Sequence, residues 1–574
     1  MHVHDVLIVG AGPCGLAMAA RLREQTPSAT FTDDEHQRYH WIRKHGKKMN
    51  IKNWRTQENS LPTPPSTPDT SDCGCDQHEG AAARRTDNGI DMLVLDADGA
   101  DWMAKWHRLF KTFGIVHLRS PMFFHVDPSD RDALLGYAYE TEREDELYAL
   151  PGCVGKGISK HRKKKKRNAM GRMSQGGPEI DERDRKDYYT PSTKLFAAHC
   201  EQVSQRYSIG KEVIRHEKVM DIEYQKLANL QDAQLDALQT EDDLVEERKV
   251  FKVTTDKGVR FANIVVLAVG PGNAPSIPSI PGLEHSSAHA GYTHAMHLKQ
   301  IPPPNMVSKI KMKAQTNMLI IGGGLSSVQI ADLALQRGVS RVYLMMRGPL
   351  KIKYFDMDLE WVGKFRNFNQ AAFWSADTDE ERLEMYLEAR NGGSVTPRYR
   401  KVLDGHLNTG KIVLHNFTTL ESVKWNEISE RWACTTSSSD ICLPPIDHIV
   451  FATGVQTDIR TMPFMQSILR DHPIEIMGGF PCLTDDLMWS DEVPLFASGR
   501  LGALRLGPGA PNLVGARIGA ERISWNVQDL LDKMNGRRRT SGQSEDESDG
   551  GDEELAEYAA ARSNRYNSLV NAGG

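Results

Sequence analysis

The chain has 574 residues, 39% of them hydrophobic, which is material for two or three domains with large cores. A net charge of −5 and a pI near 6.5 exclude a dedicated nucleic-acid binder. Eight cysteines with no CxxC pair exclude a disulfide scaffold and a zinc double pair, so no metal is expected.

In chain order, the first element is DVLIVGAGPCGLAMAARL at 5–22. A β-branched apolar run reads as a buried parallel strand, and apolar residues at helical spacing follow the glycines. Gly10, Gly12 and Gly15 suit a tight turn, close backbone approach to a pyrophosphate, and close helix–strand packing at a helix N-terminus. Asp33 and Asp34 fall about 20 residues later, where an acid hydrogen-bonds a ribose hydroxyl, so FAD or NAD is expected here. The strand starts almost at once, which leaves no room for a secretory signal, and no apolar run approaches the roughly 20 residues of a membrane helix. An intracellular, cytoplasmic enzyme is expected.

Three stretches read as insertions into the frame: 56–88, rich in Pro, Ser and Thr; 156–187, a basic block beside an acidic one; and 226–249, acidic with leucines at helical spacing. Lys160 to Arg167 (KHRKKKKR) suits a solvated loop balanced by its acidic neighbour, or a nuclear-targeting signal. FKVTTDKGVRFANIVVLAVGPGNAPSIPSIPG, from Phe251, reads as strand, turn, strand and a proline-rich exit. The second glycine unit is NMLIIGGGLSSVQIADLAL at 317–335, where Gly322, Gly324 and Ser327 repeat the spacing of the first. Its next strand, SRVYLMMRG, ends in Arg347 rather than an acid, which suits a 2′-phosphate and hence NADPH. DHIVFATGVQTDI, with Gly454, ends like the AVGPG strand in small residues that let backbone pass close to a nucleotide, and PLFASGRLGALRLGPG, with Gly499, reads as a strand and glycines before an amphipathic helix whose N-terminus can face the cofactor. A charged, disordered tail is expected over 536–574.

Two nucleotide units in one chain point to electron transfer between two dinucleotides. The predicted fold is α/β with two Rossmann-like domains, the second inserted in the first. The expected boundaries are 1–290 and 445–535 for the FAD domain and 291–444 for the NAD(P)H domain.

These pieces in this order resemble the class B flavin-dependent monooxygenases. HGKKMNIKNW (45–54), GIVHLRSPMFFHVDP (114–128) and DYYTPSTKLFAAHCEQV (187–203) are similar to stretches of the ornithine and lysine N-hydroxylases and the oxidative-stress-induced growth inhibitor proteins. The resemblance implies FAD in the first domain, NADPH in the second, and oxygen activation through a flavin C4a-hydroperoxide that oxygenates a small molecule such as an amine. It places Asn50 near the flavin and nicotinamide as an amide donor, with Lys48, Trp54 and Arg119 in the same matched stretches. HSSAHAGYTHAMH leaves His285, His289 and His294 as alternatives for a histidine that many relatives carry after the proline linker. An oxidase or reductase without substrate oxygenation, and a nucleotide-binding regulatory protein, use the same motifs.

Overall fold

A computed structural model describes residues 2–24, 89–129, 131–150, 153, 188–227, 248–270, 275–283, 291–363 and 366–539. The first part of the chain contributes β1 (Val3–Val9), α1 (Pro13–Arg23), β2 (Met92–Asp96), α2 (Ala104–Phe113), α3 (Thr193–Arg206), β3 (Ile214–His216), β4 (Val219–Lys226), β5 (Lys249–Thr255) and β6 (Gly258–Leu267). The middle contributes β7 (Tyr292–His294), β8 (Asn317–Ile321), α4 (Leu325–Gln336), β9 (Arg341–Met345), α5 (Arg366–Trp374), α6 (Asp379–Arg390), α7 (Pro397–Asn408), β10 (Ile412–His415), β11 (Leu420–Asn426), β12 (Arg431–Thr436) and β13 (His448–Phe451). The chain then adds β14 (Met488–Ser490), β15 (Val493–Ala497), α8 (Ala503–Leu506) and α9 (Leu513–Arg539).

Two sheets result. In the first, the order β14-β15-β6-β1-β2-β3 has a parallel heart, with the β4–β5 hairpin joined to the outer half of β6. β1 is buried because it lies between β2 and β6 under α1, so its run Val6–Val9 needs no polar face. The second sheet, β10-β9-β8-β13-β7, is parallel throughout. Its strands alternate between two cores. Met318, Ile320, Val342, Leu344 and Val450 pack with the α4 side, whereas Leu319, Tyr343, Met345, Ile449 and Phe451 pack with Trp432 of the β11–β12 hairpin.

The first sheet is built from both ends of the chain, so the second domain is an insertion within the first. β13 hydrogen-bonds into the second sheet, with Met318 opposite His448. The return expected at 445 therefore follows Phe451, because a strand beginning three residues later completes the second sheet beside β8. The two crossings between domains run side by side: Pro275 pairs with Val455, and Ser276 N–H donates to the Gly454 carbonyl at 3.1 Å. α9 continues to Arg539, a few residues into the stretch expected as tail. Asp33, Asp34, Lys48, Asn50, Trp54, His285, His289, the block Lys160–Arg167, most of the three insertions and residues 540–574 lie outside the described residues.

Candidate functional site

Each glycine turn caps the middle strand of its own parallel sheet, at the point where the strand order reverses. In the first sheet β2 lies to one side of β1 and β6 to the other; in the second, β9 and β13 flank β8. A crevice opens at the carboxyl ends of the strands at such a place.

In the first turn, Gly10 has φ +113°, and a Cβ there would lie 2.5 Å from the Ala268 carbonyl oxygen at the end of β6. At Gly15 a Cβ would lie 1.9 Å from the Gly10 oxygen, so the helix can approach the strand only without a side chain. Gly12, the N-cap of α1, is different. A Cβ there would meet nothing within 4 Å, so its face of the turn is open at a helix N-terminus. The open side is bordered by β2. Asp96 at its end accepts the Ala11 N–H at 2.7 Å through one carboxylate oxygen and the Asp98 N–H at 2.7 Å through the other. Asp98 in turn faces Arg108 at 3.1 Å and Lys105 at 3.8 Å.

Gly499 closes the other side with φ +66°, where a Cβ would lie 2.7 Å from the Cys14 sulfur. Burial pushes the Cys14 thiol up to about 12, with a Ser498 hydrogen bond acting the other way, so the thiol stays protonated and packs the turn.

The second turn repeats the design with one change. Gly322 has φ +148°, and a Cβ there would meet the Ala452 carbonyl oxygen at 2.3 Å. Ser327 is fully buried, and its hydroxyl donates to the Gly324 carbonyl at 2.6 Å, which satisfies the polar group that replaces the third glycine. Arg347 follows β9, exposed and without an ion pair among the described residues. The neighbouring lysines are engaged: Lys351 donates to Asn391 Oδ1 at 2.6 Å, and Lys353 pairs with Asp358 at 2.8 Å. Gly454, at φ +84°, lies in the second crossing with open space around it.

His294 ends β7; burial lowers its pKa, and its Nδ1 accepts the Met296 N–H at 3.2 Å. Arg119 is half-buried against backbone carbonyls of 353–355 and Ser394, which belong to the second domain. Sequence reasoning missed Asp96. The signal was present in DMLVLDADG, an apolar strand ending in an acid, but it stands far beyond the usual spacing from the glycines. Among the described residues, one group brings three residues of metal-ligating type together, His2, His4 and Asp91. It sits at the opposite end of β1 from the turn.

The comparisons bear on the fold. No protein-family model matches the chain. The ornithine hydroxylase PvdA of Pseudomonas aeruginosa superposes with a TM-score of 0.54 at 15% identity, over 92% of this chain and 100% of that one. The ornithine N-hydroxylase KtzI of Kutzneria sp. 744, in a structure with reduced FAD, NADP+ and ornithine, gives 0.56 at 12% identity over the same shares. The chain has the fold of the flavin-dependent N-hydroxylating monooxygenases. The FAD-bound cadaverine monooxygenase DfoA of Erwinia amylovora gives 0.52 at 12% identity, over 96% of this chain and 100% of that one. An uncharacterized CzcO-like oxidoreductase of Geobacillus kaustophilus is 25% identical over 216 residues, 38% of this chain and 53% of that protein. The chain thus matches about half the length of this curated relative. No helix among the described residues is long and apolar enough to cross a membrane.

Proposed function

We propose that the chain is an FAD-dependent monooxygenase that takes its electrons from NADPH and oxygenates a small molecule, an amine by analogy with the hydroxylases of the same fold. The observation that carries this reading is the open face at Gly12, set at the switch point of one parallel sheet, with a second glycine turn at the switch point of another. Unobstructed backbone N–H groups at a helix N-terminus fit a pyrophosphate.

The backbone of Gly10–Gly15 would hold the FAD pyrophosphate. Asp96, which ends the strand next to β1, joins Asp33 and Asp34 as a candidate partner of the adenosine ribose. Gly499 and the segment after it would border the flavin. The turn from Gly322 to Ser327 would hold the NADPH pyrophosphate, with Arg347 on the 2′-phosphate, since a fork of N–H donors suits a phosphate and Arg347 has no competing partner among the described residues. Asn50 keeps its assignment as an amide donor near the flavin. Bound in this way, a flavin supplies hydride acceptance and dioxygen activation. The chain's part is to bind, orient and exclude water.

The test is anaerobic reduction of FAD-loaded protein by NADPH or NADH, then oxygen with ornithine, lysine or cadaverine, assaying hydroxylated amine and hydrogen peroxide. Amine-dependent product with little peroxide supports the proposal. Rapid reduction that yields peroxide alone assigns an oxidase, and absence of reduction assigns a binding protein. Arg347→Ala is expected to raise KM for NADPH about 30-fold, the loss of roughly 2 kcal/mol of charge-assisted hydrogen bonding, with KM for NADH unchanged. Equal effects on both nucleotides would remove the assignment.

A further inference from the structure

Between β9 and α7 the chain leaves the second sheet, forms α5 and α6, and returns. The neck of this excursion is two paired segments: Val395 N–H donates to the Lys351 carbonyl at 2.8 Å and Lys353 N–H to the Val395 carbonyl at 3.1 Å. The returning segment lies on the second glycine turn. A Cβ at Gly393 would stand 3.0 Å from both the Cα and the nitrogen of Gly324.

One side chain of the first domain grips both segments of the neck. Arg119 Nε donates to the Tyr354 carbonyl at 3.2 Å and Nη1 to the Ser394 carbonyl at 3.2 Å. Its Nη2 lies 3.0 Å from the Lys353 carbonyl, 2.5 Å from the Phe355 carbonyl and 2.8 Å from Ser394 Oγ. Each of these acceptors belongs to the second domain, whereas the backbone beside Arg119 is tied to the first. Leu118 N–H donates to the Pro191 carbonyl at 3.0 Å, and Met122 N–H to the Tyr189 carbonyl at 2.8 Å. Burial pushes the Arg119 guanidinium down to about 10, with Asp356 raising it and Arg390 lowering it, so it remains a cation at neutral pH.

The far side of the excursion is fastened too. Arg390 pairs with Asp356 at 2.8 Å and donates to the Pro508 carbonyl at 3.0 Å; Asn512 donates to Asp356 at 2.8 Å; Trp374 Nε1 donates to the Arg505 carbonyl at 2.9 Å. The segment after Gly499 and the loop against Gly324 are therefore two faces of one braced unit.

We propose that Arg119 is a positioning residue: it fixes the 391–395 loop against the second glycine turn and thereby sets the affinity of that turn for its dinucleotide. The dinucleotide being NADPH rests on the function proposed above; the bracing of the loop does not. A planar fork spreads five N–H donors over two segments, whereas an ammonium offers three from a single point and reaches fewer of these acceptors.

The experiment uses the full-length, FAD-loaded protein with Arg119→Lys, Arg119→Gln and the milder Ser394→Ala. Amide hydrogen exchange and the dissociation constant of NADP+ are measured for each, with FAD occupancy as the folding control. Expected are exchange at least tenfold faster in peptides 350–356 and 391–396, unchanged exchange in β8 and β13, and an NADP+ dissociation constant raised tenfold or more. Lys is expected not to rescue, and Ser394→Ala to move both readouts less and in the same direction. Exchange and affinity equal to those of the parent overturn the proposal, as does full rescue by Lys. If the parent itself fails to bind NADP+, the cofactor assignment falls, and the exchange of the two peptides alone decides whether Arg119 braces the loop.

Discussion

Gly12 and Gly15 stand three residues apart in one turn, yet the structure gives them opposite sensitivities. At Gly12 the backbone is extended (φ −79°, ψ −169°), a Cβ meets nothing within 4 Å, and the residue is the N-cap of α1. Aspartate is favoured at an N-cap and beside a helix N-terminus, so Gly12→Asp should leave the stability of flavin-stripped protein within about 0.5 kcal/mol or raise it. A pyrophosphate would then meet a carboxylate. Repulsion at close range is of the order of 1 to 4 kcal/mol between water and a protein surface, and a lost charge-assisted hydrogen bond adds about 1.5 to 3. Together these predict FAD affinity lower by roughly 100-fold to 10,000-fold or more.

Gly15→Ala should do the reverse. Its Cβ would stand 1.9 Å from the Gly10 oxygen, well inside contact distance, so α1 must move away from β1. Overpacking of that kind costs about 3 kcal/mol, and FAD retention should fall only through the loss of fold. The assays are urea denaturation of the flavin-stripped proteins and flavin fluorescence titration of each. Stoichiometric FAD in Gly12→Asp would refute the placing of the pyrophosphate. An equal loss of stability in both variants would refute the geometry of the turn.

Other outcomes follow from packing and titration. Arg21 of α1 pairs with Glu521 of α9 at 2.6 Å, with 7% and 24% of the two side chains exposed. Glu521→Gln leaves a buried guanidinium without its counter-charge and should cost about 3 kcal/mol in urea denaturation. His125 and His199 lie ring to ring at 5.6 Å, and burial lowers them to about 3 and about 4, helped by Arg517 for His125 and Arg206 for His199, with Asp127 opposing in both. Burial raises Asp127, yet Arg206, His199 and His125 together bring it below the usual carboxylate value. Both histidines are neutral when folded and titrate near 6.5 when unfolded, so their stabilisation is complete above about pH 6.5 and is lost as pH falls toward 4. Each should contribute a slope of about 1.4 kcal/mol per pH unit there, visible in urea midpoints between pH 7 and 4.5. His199→Phe should flatten the slope by about one proton; an unchanged slope would count against the assignment. Asp127 acts at lower pH, where its own stabilisation is lost.

The two glycine units, the strands beside them and the insertion of one domain within another were legible because each is a local pattern: an apolar run, small residues at fixed spacing, then helical periodicity. Asp96 was not. The usual count from glycine to acid assumes a short connection, and in this chain β2 begins only at Met92. Pairing with β1 is what brings Asp96 beside the glycine turn, and pairing is a long-range property. Arg119 was legible only as part of a matched stretch. Its role depends on carbonyls 234 to 236 residues away along the chain, and a carbonyl carries no sequence signature. The end of the second domain moved for a similar reason, since ATG after β13 marks a strand end without saying which sheet the strand joins.

The two sheets also differ in when a growing chain can finish them. Every strand of the second lies between Tyr292 and Phe451, so that domain has all its parts soon after Phe451 leaves the ribosome. The first sheet waits for β15, and α1 stays uncovered on the side that α9 will take until residues near Glu521 have been made. The nascent N-terminal half must therefore hold an apolar helix and the edge of β6 exposed through most of synthesis, the interval in which a chaperone has the most surface to recognise.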